Sequence, residues 1–139
     1  MATAQFGRVI TAMITPFTED GAVDYESAVA LAKHLVAHGS EGLLVGGTTG
    51  EGATMTAEEK LKLYTLIVDA VGKRGEGKKV PVMGNIGTIS TADTIAFGNK
   101  AKETGIDCAL VIVPFYVKPN QEGMYQHFTA VAKGVDLPL

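Results

Sequence analysis

The stretch Gly42-Leu43-Leu44-Val45-Gly46-Gly47-Thr48-Thr49-Gly50-Glu51-Gly52 joins a short apolar run to a glycine-rich loop, and Thr56-Ala57-Glu58-Glu59 follows shortly after. The apolar run is unbroken rather than alternating, which marks a strand covered on both faces, as in a parallel sheet. Thr56 with Glu59 three residues on forms a capping box, in which each side chain accepts from the backbone N–H of the other. The helix it opens carries Leu61, Tyr64, Val68 and Val71 on one face. Strand, glycine-rich turn and capped helix make one βα unit.

Working outward, the unit recurs. Upstream, Val9 to Ile14 is a strand closed by Thr15-Pro16-Phe17, and Asp24 caps a helix through Ala28, Leu31, Leu35 and Val36 to a stop at Gly39. Downstream, Val80 to Met83 runs into Gly84-Asn85-Ile86-Gly87, and Ser90-Thr91-Ala92-Asp93 opens a helix ending near Gly105. Ala109 to Val113 is the fourth strand, closed by Pro114, and a helix starts after Asn120 and passes Met124, Tyr125, Phe128 and Val131. Gly72 to Lys79 is a polar loop, not a domain linker, and Leu137-Pro138-Leu139 reads as the start of a fifth strand. A (β/α)8 barrel takes about 250 residues, so four units in 139 residues predict residues 1–139 as the N-terminal half of a single TIM-barrel domain. The same rhythm fits a four- or five-stranded doubly wound sheet, which would be a complete fold. Pattern alone leaves both open.

Composition narrows the function classes. The chain is 46% hydrophobic and 19% charged, with a net charge of -3, as in an ordinary globular domain. Its lysines are scattered apart from Lys73-Arg74 and Lys78-Lys79, with no aromatic interleaving, which argues against nucleic acid as a partner. No apolar run reaches the roughly 18 residues that span a bilayer, and Met1 to Gln5 carries no signal-like pattern, so no membrane partner and a cytoplasmic location are expected. The single cysteine, Cys108, excludes an internal disulfide and fits a reducing compartment. It reads as a small core residue rather than a nucleophile.

The loop from Gly46 to Gly52 carries the chemistry. It lies at the carboxyl end of a buried strand and ahead of a capped helix, where α/β sheets bind ligands. Its glycines let backbone N–H groups turn toward an anion, the helix N-terminus adds positive potential, and Thr48 and Thr49 add hydroxyls. This suits a carboxylate. No lysine follows with Walker spacing and the pattern is not GxGxxG. The alternative is a tight turn with no ligand. At the equivalent end of the fourth strand, Pro114-Phe115-Tyr116-Val117-Lys118-Pro119 could present a phenol to a pocket, or the two aromatics could simply plug the mouth. His34 and His38 fall four apart on a helix, a metal-ligand spacing, but nothing completes a site and they read as surface residues. His127 reads as structural.

Three segments together, Thr11-Ala12-Met13-Ile14-Thr15-Pro16-Phe17, Gly47-Thr48-Thr49-Gly50-Glu51, and Pro119-Asn120-Gln121-Glu122-Gly123-Met124-Tyr125-Gln126-His127-Phe128, resemble the dihydrodipicolinate synthase family. The likeness runs from about Arg8 to Leu139. The second segment is shared in variant form across the wider pyruvate-lyase superfamily, including N-acetylneuraminate lyase. Its combination with the other two is more specific.

The resemblance implies a (β/α)8 fold and a lyase of the diaminopimelate route to lysine, in which pyruvate held as a lysine Schiff base condenses with aspartate semialdehyde. It implies that Thr49, with the backbone of Gly47 and Gly50, holds the pyruvate carboxylate. Thr48 would stand in a hydroxyl relay with two tyrosines, and Tyr116 would be the one that reaches into a neighbouring subunit of a homo-oligomer. Glu51 would brace its turn through backbone N–H groups. No metal and no organic cofactor are implied. The family's Schiff-base lysine and second relay tyrosine match nothing up to Leu139, so the chain alone is expected to be inactive. The alternative is a non-catalytic half-barrel that binds a small carboxylate or assembles with itself. Gly84-Asn85-Ile86-Gly87 departs from the family's usual glycine-alanine-rich loop.

Overall fold

The computed structural model describes residues 6–73, 75 and 77–139. The expectation for Met1 to Gln5 and the charge of Arg74 lie outside those residues. Four βα units follow in order: β1 (Ile10–Ala12), α1 (Tyr25–Ala37), β2 (Gly42–Val45), α2 (Ala57–Val71), β3 (Val82–Asn85), α3 (Thr91–Glu103), β4 (Cys108–Leu110) and α4 (Gln121–Gly134).

Each helix starts where its sequence offers a side-chain acceptor to an otherwise unpaired N–H. Asp24 accepts from Ser27, Ser90 from Asp93 and Asn120 from Gly123. Thr56 and Glu59 form the full reciprocal box.

The strands are parallel in the order β1-β2-β3-β4. A doubly wound sheet would reverse its strand order at a switch point. Sequential order with right-handed crossovers instead sends every helix to the same face, as in a barrel wall. Accordingly α1 packs on α2, α2 on α3 and α3 on α4. The doubly wound alternative is therefore excluded, and the chain is four successive βα units of a (β/α)8 wall.

Register separates the two faces. Leu43 and Val82 are partners on the helix-covered face, as are Val45, Gly84 and Ala109, and the side chains among them are at most 1% exposed. Opposite, Ala12, Leu44, Met83 and Cys108 are aligned across the sheet. On that inner face Ala12 is exposed and Leu44 and Met83 are half-buried, while Ile10 is 41% exposed. The core thus sits between sheet and helices.

The fifth-strand reading has a physical trace, since the Ala109 N–H donates to the Pro138 carbonyl at 2.8 Å. The third strand begins two residues later than its apolar run, because Pro81 has no N–H for the ladder and only its carbonyl is used, accepting from Leu43. Among the described residues no helix is long and apolar enough to cross a membrane.

Candidate functional site

The Gly46–Gly52 segment leaves β2 and folds back on itself. Gly46 has φ +67°, which glycine adopts without strain. Three successive carbonyls then turn inward. The Gly46 carbonyl accepts from Asn85 Nδ2 at 2.9 Å. The Gly47 carbonyl accepts from the N–H groups of Gly50 and Gly52, both at 3.1 Å, and the Thr48 carbonyl accepts from Glu51 at 3.0 Å. A trans peptide sets C=O and N–H on opposite sides of its plane. The N–H groups of Gly47, Thr48 and Thr49 therefore point away from the inward bonds, and none of them donates a hydrogen bond among the described residues. Successive free N–H groups of this kind form a concave anion acceptor.

Gly47 and Thr48 line a cavity of about 700 Å³. Its wall includes Asn85 at the end of β3, Lys60 on α2, and Ile112 and Phe115 after β4. Lys60 is 8% exposed, and its Nζ lies 4.7 Å from the centre of the Phe97 ring. Burial lowers its pKa from the usual lysine value. Glu51 and Asp93 contribute carboxylates to the same wall, so the lining carries both signs of charge.

The predicted residues separate into three groups. Gly47 and Thr48 face the cavity, and Thr49 is exposed in the same turn. Gly50 spends its own N–H on Gly47 and supplies space instead: a Cβ there would lie 2.9 Å from the Met13 carbonyl oxygen. Tyr116 is 92% exposed with φ 68°, lies outside the cavity wall and is not brought to Thr48 within this chain. Its neighbour Phe115 takes the wall position. Such a positive φ on a bulky residue is sparsely populated and clusters at functional sites.

Glu51 differs from expectation. Its side chain makes no hydrogen bond among the described residues, and the turn is braced by its backbone, with φ 52° and N–H on Thr48.

Three bracing residues were not among the site residues expected from the sequence. Thr15 Oγ1 donates to the Gly50 carbonyl at 2.7 Å. Tyr64 donates its phenol to the Asn85 carbonyl at 2.7 Å, and burial pushes that phenol well above the usual tyrosine range, against a smaller lowering by this bond. Asn85 also accepts from the Gly87 N–H through Oδ1 at 3.1 Å. Their partners are 35, 21 and 39 positions away for the Thr15–Gly50, Tyr64–Asn85 and Asn85–Gly46 bonds. Only the departure of Gly84-Asn85-Ile86-Gly87 from the family pattern could have pointed to Asn85.

Other predicted features behave as structural ones. His34 and His38 stack at 4.0 Å on the exposed side of α1, and no group of three His, Cys, Asp or Glu residues among the described residues is placed to hold a metal ion. His127 is buried and its Nδ1 meets Thr91 Oγ1 at 2.8 Å, tying α4 to α3. Cys108 is buried, and burial, with the Asp107 charge nearby, raises its thiol pKa to about 11.

Known proteins resemble the chain over nearly its whole length. The 4-hydroxy-tetrahydrodipicolinate synthase of Symbiobacterium thermophilum is 55% identical over 133 residues, covering 96% of this chain and 44% of that protein. The crystal structure of dihydrodipicolinate synthase DapA-2 from Bacillus anthracis superposes with a TM-score of 0.89 at 43% identity, over 96% of this chain and 44% of that one. The chloride-inhibited dihydrodipicolinate synthase of Acinetobacter baumannii, solved in complex with pyruvate, gives 0.87 at 37% identity, over 94% and 43%. The chain thus spans less than half the length of the relatives it matches. Residues 5–139 match the family as a whole. With four sequential βα units and these matches over nearly its whole length, the chain belongs to the dihydrodipicolinate synthetase family.

Proposed function

We propose that residues 1–139 are the N-terminal half of a single TIM-barrel domain, and that this half supplies the carboxylate grip of a pyruvate lyase. Pyruvate would lie with its carboxylate on the N–H groups of Gly47, Thr48 and Thr49 and on the Thr49 hydroxyl, Gly50 giving the turn its close packing. Thr48 and Tyr116 would belong to the proton relay, with Tyr116 serving a neighbouring subunit. The Schiff-base lysine lies in the part of the longer protein outside this chain, where the enamine of pyruvate meets aspartate semialdehyde, and the isolated chain is inactive.

The observation that carries this reading is the run of three N–H groups, unpartnered among the described residues, beside a cavity of about 700 Å³. Pyruvate is the ligand in the Acinetobacter baumannii relative, which shares 37% identity. The exposure of Tyr116 supports its role outside its own cavity. The test is an amide-shift titration of the chain with pyruvate. The reading expects the Gly47, Thr48 and Thr49 amides to move together with saturation, and an unmoved loop at tens of millimolar pyruvate would refute it.

The open inner face favours self-association. A parallel sheet is ordinarily covered on both faces, yet Ile10 and Ile14 are 41% and 56% exposed. The chain is therefore proposed to form a homo-oligomer, and light scattering giving the 14.5 kDa monomer mass at micromolar concentration would contradict it.

A further inference from the structure

The loop's internal bonds run to the carbonyls of Gly47 and Thr48, and glycines at Gly46 and Gly50 leave its two ends with wide backbone freedom. Where its free N–H groups point as a set depends on what holds those ends. Thr15 holds the far end, at Gly50. The near end, where the chain leaves β2, is held by a side-chain hydrogen bond from β3.

Asn85 makes that bond. It ends β3 on the inner face of the sheet, pairs in register with Leu110, and is 6% exposed. Its two amide atoms point to two different loops. Nδ2 donates to the Gly46 carbonyl at 2.9 Å, and Oδ1 accepts from the Gly87 N–H at 3.1 Å. The two bonds fix the amide orientation jointly, since only the oxygen can accept from Gly87. Its backbone carbonyl is held in turn by the Tyr64 phenol at 2.7 Å. Tyr64 is fully buried, and a Cβ added at Gly46 would lie 2.9 Å from its hydroxyl. The Gly46 peptide is therefore gripped through its oxygen by Asn85 and crowded at its Cα by Tyr64.

We propose that Asn85 is the positioning residue of the carboxylate loop: by holding the Gly46 carbonyl it aims the N–H of Gly47, and by holding Gly87 it ties that aim to the β3–α3 loop across the cavity. The Gly46–Gly47 peptide is planar, so its N–H direction follows from where its oxygen is held. This inference rests on the carboxylate reading of the loop and adds the residue that makes the loop an acceptor.

The test is pyruvate titration of Asn85→Ala and Asn85→Asp beside the wild-type chain, followed by amide shifts and thermal unfolding. Asn85→Asp keeps the acceptor for Gly87 and places an oxygen against the Gly46 carbonyl, so it breaks one bond selectively. The expected result is a Kd for pyruvate at least tenfold weaker in both variants, with the α2 and α3 amides unshifted. A lower Tm with unchanged Kd in the folded fraction would make Asn85 merely structural and overturn the proposal. If neither variant folds, the wild-type Asn85 side-chain NH2 decides: protected from exchange and shifting with pyruvate supports the role, freely exchanging and unmoved refutes it. A wild-type loop that ignores pyruvate sinks the carboxylate reading and this inference with it. A wild-type loop that responds while the variants bind equally well sinks the inference alone.

Discussion

Thr15 Oγ1 donates to the carbonyl of Gly50 at 2.7 Å, and this buried bond joins the loop after β1 to the loop after β2. It closes the far end of the segment that Asn85 holds at the near end.

Thr15→Val keeps the side-chain shape and removes the donor, which leaves a buried carbonyl unpaired. A loss of about 1–3 kcal/mol follows, read as a lower denaturant midpoint with an unchanged slope. Thr15→Ser should recover most of it. Equal stability of the valine and serine variants would mean that the bond does not brace the loop.

Gly52 and Gly21 separate steric fit from backbone strain. A Cβ at Gly52 would lie 1.8 Å from the Gly46 carbonyl oxygen, whereas one at Gly21 meets nothing within 4 Å and carries only the strain of φ +86°. Gly21→Ala is expected to cost about 1–2 kcal/mol. Gly52→Ala is expected to exceed that and to abolish pyruvate-induced shifts at Thr48 and Thr49. Similar unfolding midpoints for the two variants would contradict the packing described.

Acid should loosen two helix starts and the Arg8–Glu41 pair. The Glu59 carboxylate accepts from the Thr56 N–H at 2.8 Å and from its hydroxyl at 2.9 Å, and these bonds hold its pKa below the usual glutamate range. The Ser27 hydroxyl and N–H lower Asp24 likewise, and the Arg8 N–H and guanidinium lower Glu41. A carboxyl whose folded pKa is depressed contributes stability above its unfolded pKa and loses it as pH falls through the folded value. Thermal midpoints should therefore drop below about pH 5, and Glu59→Gln should flatten that slope. A slope identical to wild type would show that the box carries no linkage.

Cys108 should be inert in the folded chain. Its thiol is buried with a pKa raised to about 11, so little thiolate forms at neutral pH. Alkylation by iodoacetamide at pH 8 should follow unfolding, rising at least tenfold in denaturant. Equal rates in both states would mean that the β4 start opens freely.

The features that were legible in the sequence are local ones. The four helix starts could be read because each cap and its target N–H lie three residues apart, as with Thr56 and Glu59 or Asn120 and Gly123. Strand ends were less legible. Val80 and Pro81 read as strand but fall outside β3, while Gly84 and Asn85 read as loop and pair in register with Ala109 and Leu110. Pairing depends on neighbours far along the chain, which a run of apolar letters does not encode. The same limit applies at the site. The glycine-threonine turn reads in the sequence as a loop suited to an anion, but the bracing bonds from Thr15, Tyr64 and Asn85 span 21 to 39 positions. Strand order also had to come from the structure, since β1-β2-β3-β4 and a doubly wound order share one letter pattern.

The central claim is a division of labour, with the carboxylate grip in this chain and the nucleophilic lysine elsewhere. Intact-mass analysis after incubation with pyruvate and borohydride tests it most directly. The account predicts no reduced pyruvate adduct on the chain, while a full-length family member treated in parallel gains one. A stoichiometric adduct on a single lysine, with Lys60 in the cavity wall the first to map, would contradict it and put the Schiff-base chemistry in this half.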